Sequence, residues 1–142
     1  MARDEIIGYT TGVFDLFHIG HLNLLRRAKE NCDLLIVGVT SDELVSYKHK
    51  KSIIPFEERI QIVDSISYVD KTVSQNNMDK MGAWERLGFH KMFVGNDWEG
   101  HPKWIQWEEE FARVNVEIIY FPYTKGTSST LINETLVKIR NS

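Results

Sequence analysis

The chain has 142 residues, a mass of 16.6 kDa and a formal net charge of −3, with a sequence pI near 5.9. That length predicts one domain over residues 1–142 with room for its own core, and the acidic balance leaves no global positive field to hold RNA or DNA. With no apolar run near the roughly 18 residues a membrane span needs and no signal peptide, the sequence reads as a cytoplasmic protein with neither a nucleic-acid nor a membrane partner. The single cysteine, Cys32, excludes an internal disulfide and reads as packing.

Ile6 to Val13 is a short β-branched and aromatic run that predicts a buried strand. From Gly20 to Asn31, Leu22, Leu24, Leu25 and Ala28 alternate with charged residues at helical spacing. "DLLIVGVT", Asp33 to Thr40, is apolar without a break, as in a parallel strand covered on both faces. Ser41-Asp42-Glu43 offers a helix cap, and Lys48 to Ser52 is a basic loop. Pro55 suits a first helical turn, and Phe56, Ile60 and Val63 then mark one face of a helix to about Ser65.

The second half repeats this rhythm. "YVDKTVS" is a weak strand, Met78 to Leu87 a helix ended by Gly88, and "KMFVGN" from Lys91 a strand. Pro102 to Val114 is a helix, "VEIIYF" from Val116 a strand, and Thr127 to Arg140 a closing helix. Alternating strands and helices predict an α/β fold, a single-domain Rossmann-like arrangement with a mostly parallel sheet flanked by helices.

In such sheets ligands bind beyond the carboxyl ends of the strands, where strand order reverses. Four strand-end loops then carry the chemistry: Asp15, His18 and His21; Lys48-His49-Lys50-Lys51; Asn96, Asp97 and Trp98; and "YTKGTSST" from Tyr123. Cations, hydroxyls, glycines and few carboxylates are the inventory of a polyphosphate site. Within "HIGH", His18 to His21, a helix starting near Gly20 would place both imidazoles at its positive end. Its unpaired backbone N–H groups could meet phosphate oxygens. Gly20 would allow close approach, and each imidazole could donate to a phosphate whether neutral or charged.

"TGVFDLFHIGH" resembles the nucleotidyltransferase superfamily whose small members are cytidylyltransferases. "PFEERIQIVDSISYVD" is similar to that family's segment ending in a "YVDE"-type signature, "FVGNDWEG" to its "GDDWEG", and "YTKGTSST" to its "RTEGISTT"-type motif. In order, these stretches cover almost the whole chain, and the group resembled most is the glycerol-3-phosphate cytidylyltransferases. Class I aminoacyl-tRNA synthetases share the histidine signature by distant kinship. A fragment of one does not fit an acidic chain with no tRNA-binding domain.

The resemblance implies transfer of a cytidylyl group from CTP to a phosphorylated small alcohol, glycerol 3-phosphate in the first instance. The products would be CDP-glycerol, a cell-surface polymer precursor, and pyrophosphate, with Mg2+ as the divalent metal and a homodimer as the assembly. A phosphomonoester is largely dianionic at neutral pH, so in-line attack on the α-phosphorus needs no dedicated base and no covalent intermediate. It further implies catalytic roles for His18, His21 and Lys48. Nucleotide contacts are implied for Gly12, Val13, Phe14, Asp15, Gly20, Asn96, Asp97, Trp98, Thr124, Lys125, Gly126, Ser128, Ser129 and Thr130. Lys48, Lys50 and Arg59 would take the acceptor phosphate, and Asp15 would organise the first loop as the candidate metal ligand. From the residues alone, "STL" also fits a helix cap and "KHKK" a solvated charge run, each less well than the phosphate reading, and Trp98 reads equally as core.

Departures from the family pattern bear on the acceptor. Ser67 and Tyr123 stand where the family has arginine, Lys125 where it has glutamate, and Asn96 replaces the first acid of "GDDW". Lys125 could restore one charge, without arginine's bidentate fork. Another phosphorylated polyol or amino alcohol, such as glycerol 2-phosphate, an ATP-using adenylyltransferase, and a non-catalytic nucleotide-binding protein are the alternatives.

Overall fold

The computed structural model describes residues 5–47, 52–122 and 129–141. Five parallel strands form one sheet in the order β3-β2-β1-β4-β5. In chain order the elements are β1 (Ile7–Gly12), α1 (Ile19–Glu30), β2 (Leu34–Thr40), α2 (Asp42–Tyr47), α3 (Phe56–Asp64), β3 (Lys71–Gln75), α4 (Lys80–Leu87), β4 (Lys91–Gly95), a 3-10 turn (Asn96–Trp98), α5 (Pro102–Ala112), β5 (Glu117–Phe121) and α6 (Ser129–Asn141). The chain moves from β1 outward to β3, then returns to lay β4 on the other side of β1. Strand order therefore reverses between β1 and β4, and a crevice opens there.

The alternation of side chains along the strands divides the core in two. Tyr9, Ile36 and Met92 face Ala83 of α4 and Trp104 and Phe111 of α5. Leu35, Val37, Val39 and Phe93 face Leu25 and Ala28 of α1 and Val63 of α3. β2 is buried from Leu35 to Thr40, which accounts for its unbroken apolar run. Cys32 packs half-buried at the end of α1, its thiol donating to the Ala28 carbonyl at 3.2 Å.

Local capping places the helix starts. The Ser41 hydroxyl accepts from Leu44 N at 3.2 Å, as the cap predicts. Pro55 is the N-cap of α3, one residue before its first turn. Asp79 Oδ1 accepts from Gly82 N at 2.9 Å, so α4 begins at Lys80 rather than Met78. Gly88 ends α4 in the left-handed region at φ 66°. β3 starts at Lys71, three residues later than the sequence suggests, because Asp70 is used otherwise. Its carboxylate accepts from the Leu35 amide at 2.8 Å and the Lys29 ammonium at 2.6 Å.

Candidate active site

A cavity of about 570 Å3 sits at the reversal point. Thr10 to Val13 of the β1 end and Phe93 to Gly95 of the β4 end form its floor. His18, Gly20, His21, Leu24 and Arg27 of α1 close one side, and Trp98, His101, Lys103, Trp104 and Trp107 close the other. Lys80, at the start of α4, lines it as well. Among the described residues no aspartate or glutamate lines this cavity, although the chain as a whole is acidic. Arg27, Lys80 and Lys103 do line it, so its field favours a polyanion.

The two histidines of "HIGH" cap α1 reciprocally. His18 is the N-cap, and its Nδ1 accepts from Gly20 N at 3.0 Å. His21 is the third helical residue, and its Nδ1 accepts from His18 N at 3.2 Å. This is the two-way bonding of a capping box, built from imidazoles instead of a hydroxyl and a carboxylate. A backbone N–H can only donate, so both Nδ1 atoms must carry lone pairs. Each neutral ring is then protonated at Nε2. The rings stack with centroids 4.0 Å apart, and Phe14 and Phe17 flank His21 at 5.4 and 5.2 Å. Burial first, and then the neighbouring His18, push the His21 pKa down to about 4 against the pull of Asp15. Burial also lowers that of His18. Both rings are therefore neutral at pH 7. The sequence suggested that free amides at the helix start would meet phosphate. The structure instead uses the Gly20 and His18 amides in the caps.

Several expected site residues fall elsewhere. Arg59 is fully buried, and its guanidinium donates to the carbonyls of Val13, Thr40 and Ile54 and to Asp42 Oδ1 at 2.6 to 2.8 Å. It therefore does not face an acceptor phosphate. Asp15 is buried, and its two oxygens accept from the amides of Ile53 and Ile54, both at 2.9 Å. Those two bonds hold the loop, and among the described residues no three histidine, cysteine or acidic side chains cluster as a ligand set. Phe14 belongs to the core behind His21. Asn96 and Asp97 lie exposed on the 3-10 turn outside the cavity lining, while Trp98 enters it. Gly12, Val13 and Gly20 line the cavity as expected. Lys48, Lys50, Thr124, Lys125, Gly126 and Ser128 lie outside the described residues, and Ser129 and Thr130 open α6.

The residue that sequence reasoning missed is Lys80. It is 5% exposed, with Nζ 5.1 Å from the Trp104 ring centroid and 5.2 Å from that of Trp107. An ammonium over two indole faces is stabilised by cation–π attraction while remaining on the cavity wall. The same strand-end rule would have found it, because β3 ends at Gln75 and the segment leading to Lys80 is its strand-end loop.

The model for cytidylyltransferase-like proteins matches residues 9–135. The chain belongs to the cytidylyltransferase-like family. A glycerol-3-phosphate cytidylyltransferase of Staphylococcus aureus is 38% identical over 128 residues, covering 89% of this chain and 92% of that protein. An FAD synthase of Archaeoglobus fulgidus is 33% identical over 109 residues, covering 77% and 79%. Among solved structures, the lipopolysaccharide core biosynthesis protein of Thermoplasma volcanium superposes with a TM-score of 0.72 at 20% identity, over 87% of this chain and all of that one. This last likeness concerns the fold. Family membership makes the chain a nucleotidyltransferase.

Proposed function

We propose that this enzyme transfers a cytidylyl group from CTP to glycerol 3-phosphate, giving CDP-glycerol and pyrophosphate. The observation that carries the reading is a cavity lined by no acidic side chain among the described residues, beside which the caps leave His18 and His21 as Nε2–H tautomers. Relatives named glycerol-3-phosphate cytidylyltransferase, matching nearly end to end, support the choice of substrates. An oxygen of the acceptor phosphate attacks the α-phosphorus, and the bond to the bridging oxygen of the β-phosphate breaks in line. Pyrophosphate leaves with the bonding pair. The acceptor is already a dianion for the most part, so no base is needed. Negative charge on the phosphoryl oxygens meets two fixed neutral donors and the positive end of α1. Lys80, one of three described cations that line the cavity with Arg27 and Lys103, receives the acceptor phosphate in this reading. Lys48, Lys50 and the "TKGTSS" stretch supply further contacts in this reading.

Mg2+ enters this reading only as a counter-ion carried on the triphosphate. The described side chains offer no resident ligand set, and no step is routed through the metal. A cytoplasmic location is part of the proposal; among the described residues no helix is long and apolar enough to cross a membrane. A symmetric homodimer is proposed as well, supported by Leu136, Val137 and Ile139 exposed on α6. Light scattering that returns a mass near 16.6 kDa at micromolar concentration would contradict it.

One observation favours a second reading. Trp98, Trp104 and Trp107 give the cavity an aromatic wall, and FAD synthases are among the relatives, so a flavin mononucleotide acceptor is the competing substrate. Pyrophosphate release decides, measured with CTP and with ATP against glycerol 3-phosphate, glycerol 2-phosphate and flavin mononucleotide. Turnover with CTP and glycerol 3-phosphate is expected to dominate. Higher kcat/KM for ATP or for the flavin would overturn the assignment, and no release with any pair would leave a nucleotide-binding protein.

A further inference from the structure

The loop that delivers His18 and His21 has an unfavourable backbone. Phe14 and Leu16 both lie in the left-handed region, at φ 55° and 50°, on either side of Asp15. Neither is a glycine, and both carry bulky side chains that resist this conformation. Such geometry persists only where the surroundings over-determine it. Here the surroundings are a closed set of hydrogen bonds. Arg59 Nη1 donates to the Val13 carbonyl at 2.7 Å and the Thr40 carbonyl at 2.8 Å, joining the carboxyl ends of β1 and β2. Its Nε donates to the Ile54 carbonyl at 2.8 Å, while the Ile53 and Ile54 amides donate to Asp15. Arg59 Nη2 donates to Asp42 Oδ1 at 2.6 Å, and Asp42 Oδ2 accepts from Phe56 N at 3.0 Å.

We infer that Arg59, Asp15 and Asp42 are positioning residues: they hold the strained Val13–Phe17 loop in the conformation that aims the two Nε2–H groups into the cavity. Apolar residues would fill the Arg59 site without the desolvation that a wholly buried guanidinium suffers. What they could not do is gather three carbonyl oxygens from three separate segments. The link to the histidines is short. Val13, whose carbonyl Arg59 holds, precedes Phe14, and the Phe14 ring sits edge-on against His21.

The inference rests on the reading of His18 and His21 as the phosphate clamp, so its test has two arms. Asp15→Asn keeps the side-chain volume but turns an amide N–H toward one of two backbone donors. Asp42→Asn changes a side chain that is 49% exposed and leaves one acceptor oxygen to serve Arg59, Phe56 N and Ser52 Oγ, so the ion pair with Arg59 is lost. Thermal unfolding reports that each variant folds. In the ligand-free protein, 15N signals of the imidazoles read the tautomers of His18 and His21. In the turnover assay, kcat and KM for CTP are read separately. The expected result for Asp15→Asn is loss of the pure Nε2–H pattern and a fall in kcat of about 10- to 100-fold, the scale of a small misplacement. KM should move by less than about threefold. Asp42→Asn should shift both readouts the same way by a smaller amount. A purely structural role would lower the melting temperature and leave the imidazole signals and kcat of the folded protein untouched; that result overturns the inference. If Asp15→Asn does not fold, Asp42→Asn decides on the same two readouts. A wild-type chain without turnover on any substrate pair refutes the proposed function, whereas the imidazole arm still decides the positioning role.

Discussion

His18 serves two purposes through two different atoms, and a substitution can separate them. Its Nδ1 caps α1 by accepting from Gly20 N at 3.0 Å, while its Nε2–H is the donor offered to phosphate. Alanine removes both. Loss of an N-cap costs about 1 kcal/mol. With an unfolding entropy of about 2.1 cal/mol/K per residue, a chain of 142 residues should melt about 3 °C lower. Asparagine is among the best N-cap residues, so His18→Asn should melt within about 1 °C of the wild type. It still lacks a donor at the Nε2 position. Removal of one preorganised donor of this kind costs about 10²- to 10³-fold in kcat. Both variants should therefore lose turnover to a similar extent, and only alanine should lose stability. Differential scanning calorimetry and steady-state pyrophosphate release measure the two quantities on the same samples. An asparagine variant with near wild-type kcat refutes the donor role. One that melts as low as the alanine variant refutes the cap.

Three further outcomes follow from other parts of the site. The His21 pKa is depressed to about 4 from 6.5, so between those values the unfolded chain binds a proton that the folded chain does not. Its contribution to stability is complete above pH 6.5 and is lost as pH falls toward 4, worth up to about 3 kcal/mol in total. Urea unfolding at pH 7 and pH 5 should show this loss in the wild type but not in His21→Ala, and parallel behaviour of the two proteins would refute it. Lys80→Met should raise KM for the acceptor at least about tenfold, or about 1.4 kcal/mol of lost phosphate contact, with little effect on KM for CTP; an unchanged acceptor KM would leave Lys80 a packing residue of the indole cluster. Lys125→Ala should cost at least about tenfold in KM for CTP or in kcat if Lys125 makes up for the arginine absent at Tyr123, and unchanged constants would show that it does not.

The parts of the fold that rest on local rules were legible in the sequence. The unbroken run in β2 reads as burial on two faces because a covered parallel strand has no solvent side. Gly88 reads as a helix end because a left-handed residue is needed there and glycine adopts it freely. "YVD" misled the reading of β3 because Asp70 is spent on partners from α1 and β2, and sequence periodicity carries no record of such distant hydrogen bonds.

Arg59 and Lys80 mark where sequence reasoning about charge fails, and in opposite directions. Arg59 lies next to acidic residues on a helix, in a stretch that resembles a family segment, and the resemblance implies a phosphate contact for it. Its real partners are carbonyls at the ends of strands separated from it by up to 46 residues, and only the sheet topology brings them together. Lys80 opens an amphipathic helix, where lysine ordinarily points to water. It is buried because Trp104 and Trp107, on the following helix, turn their faces to it across the cavity. The histidines differ because their partners are local: His18 Nδ1 accepts from Gly20 N, and His21 Nδ1 from His18 N. A capping box closes within four residues, so the atoms that fix each ring are encoded in the same short stretch as the rings themselves. Chemistry built from adjacent residues can be read from a sequence. Chemistry that depends on strand order becomes visible only when the sheet is assembled.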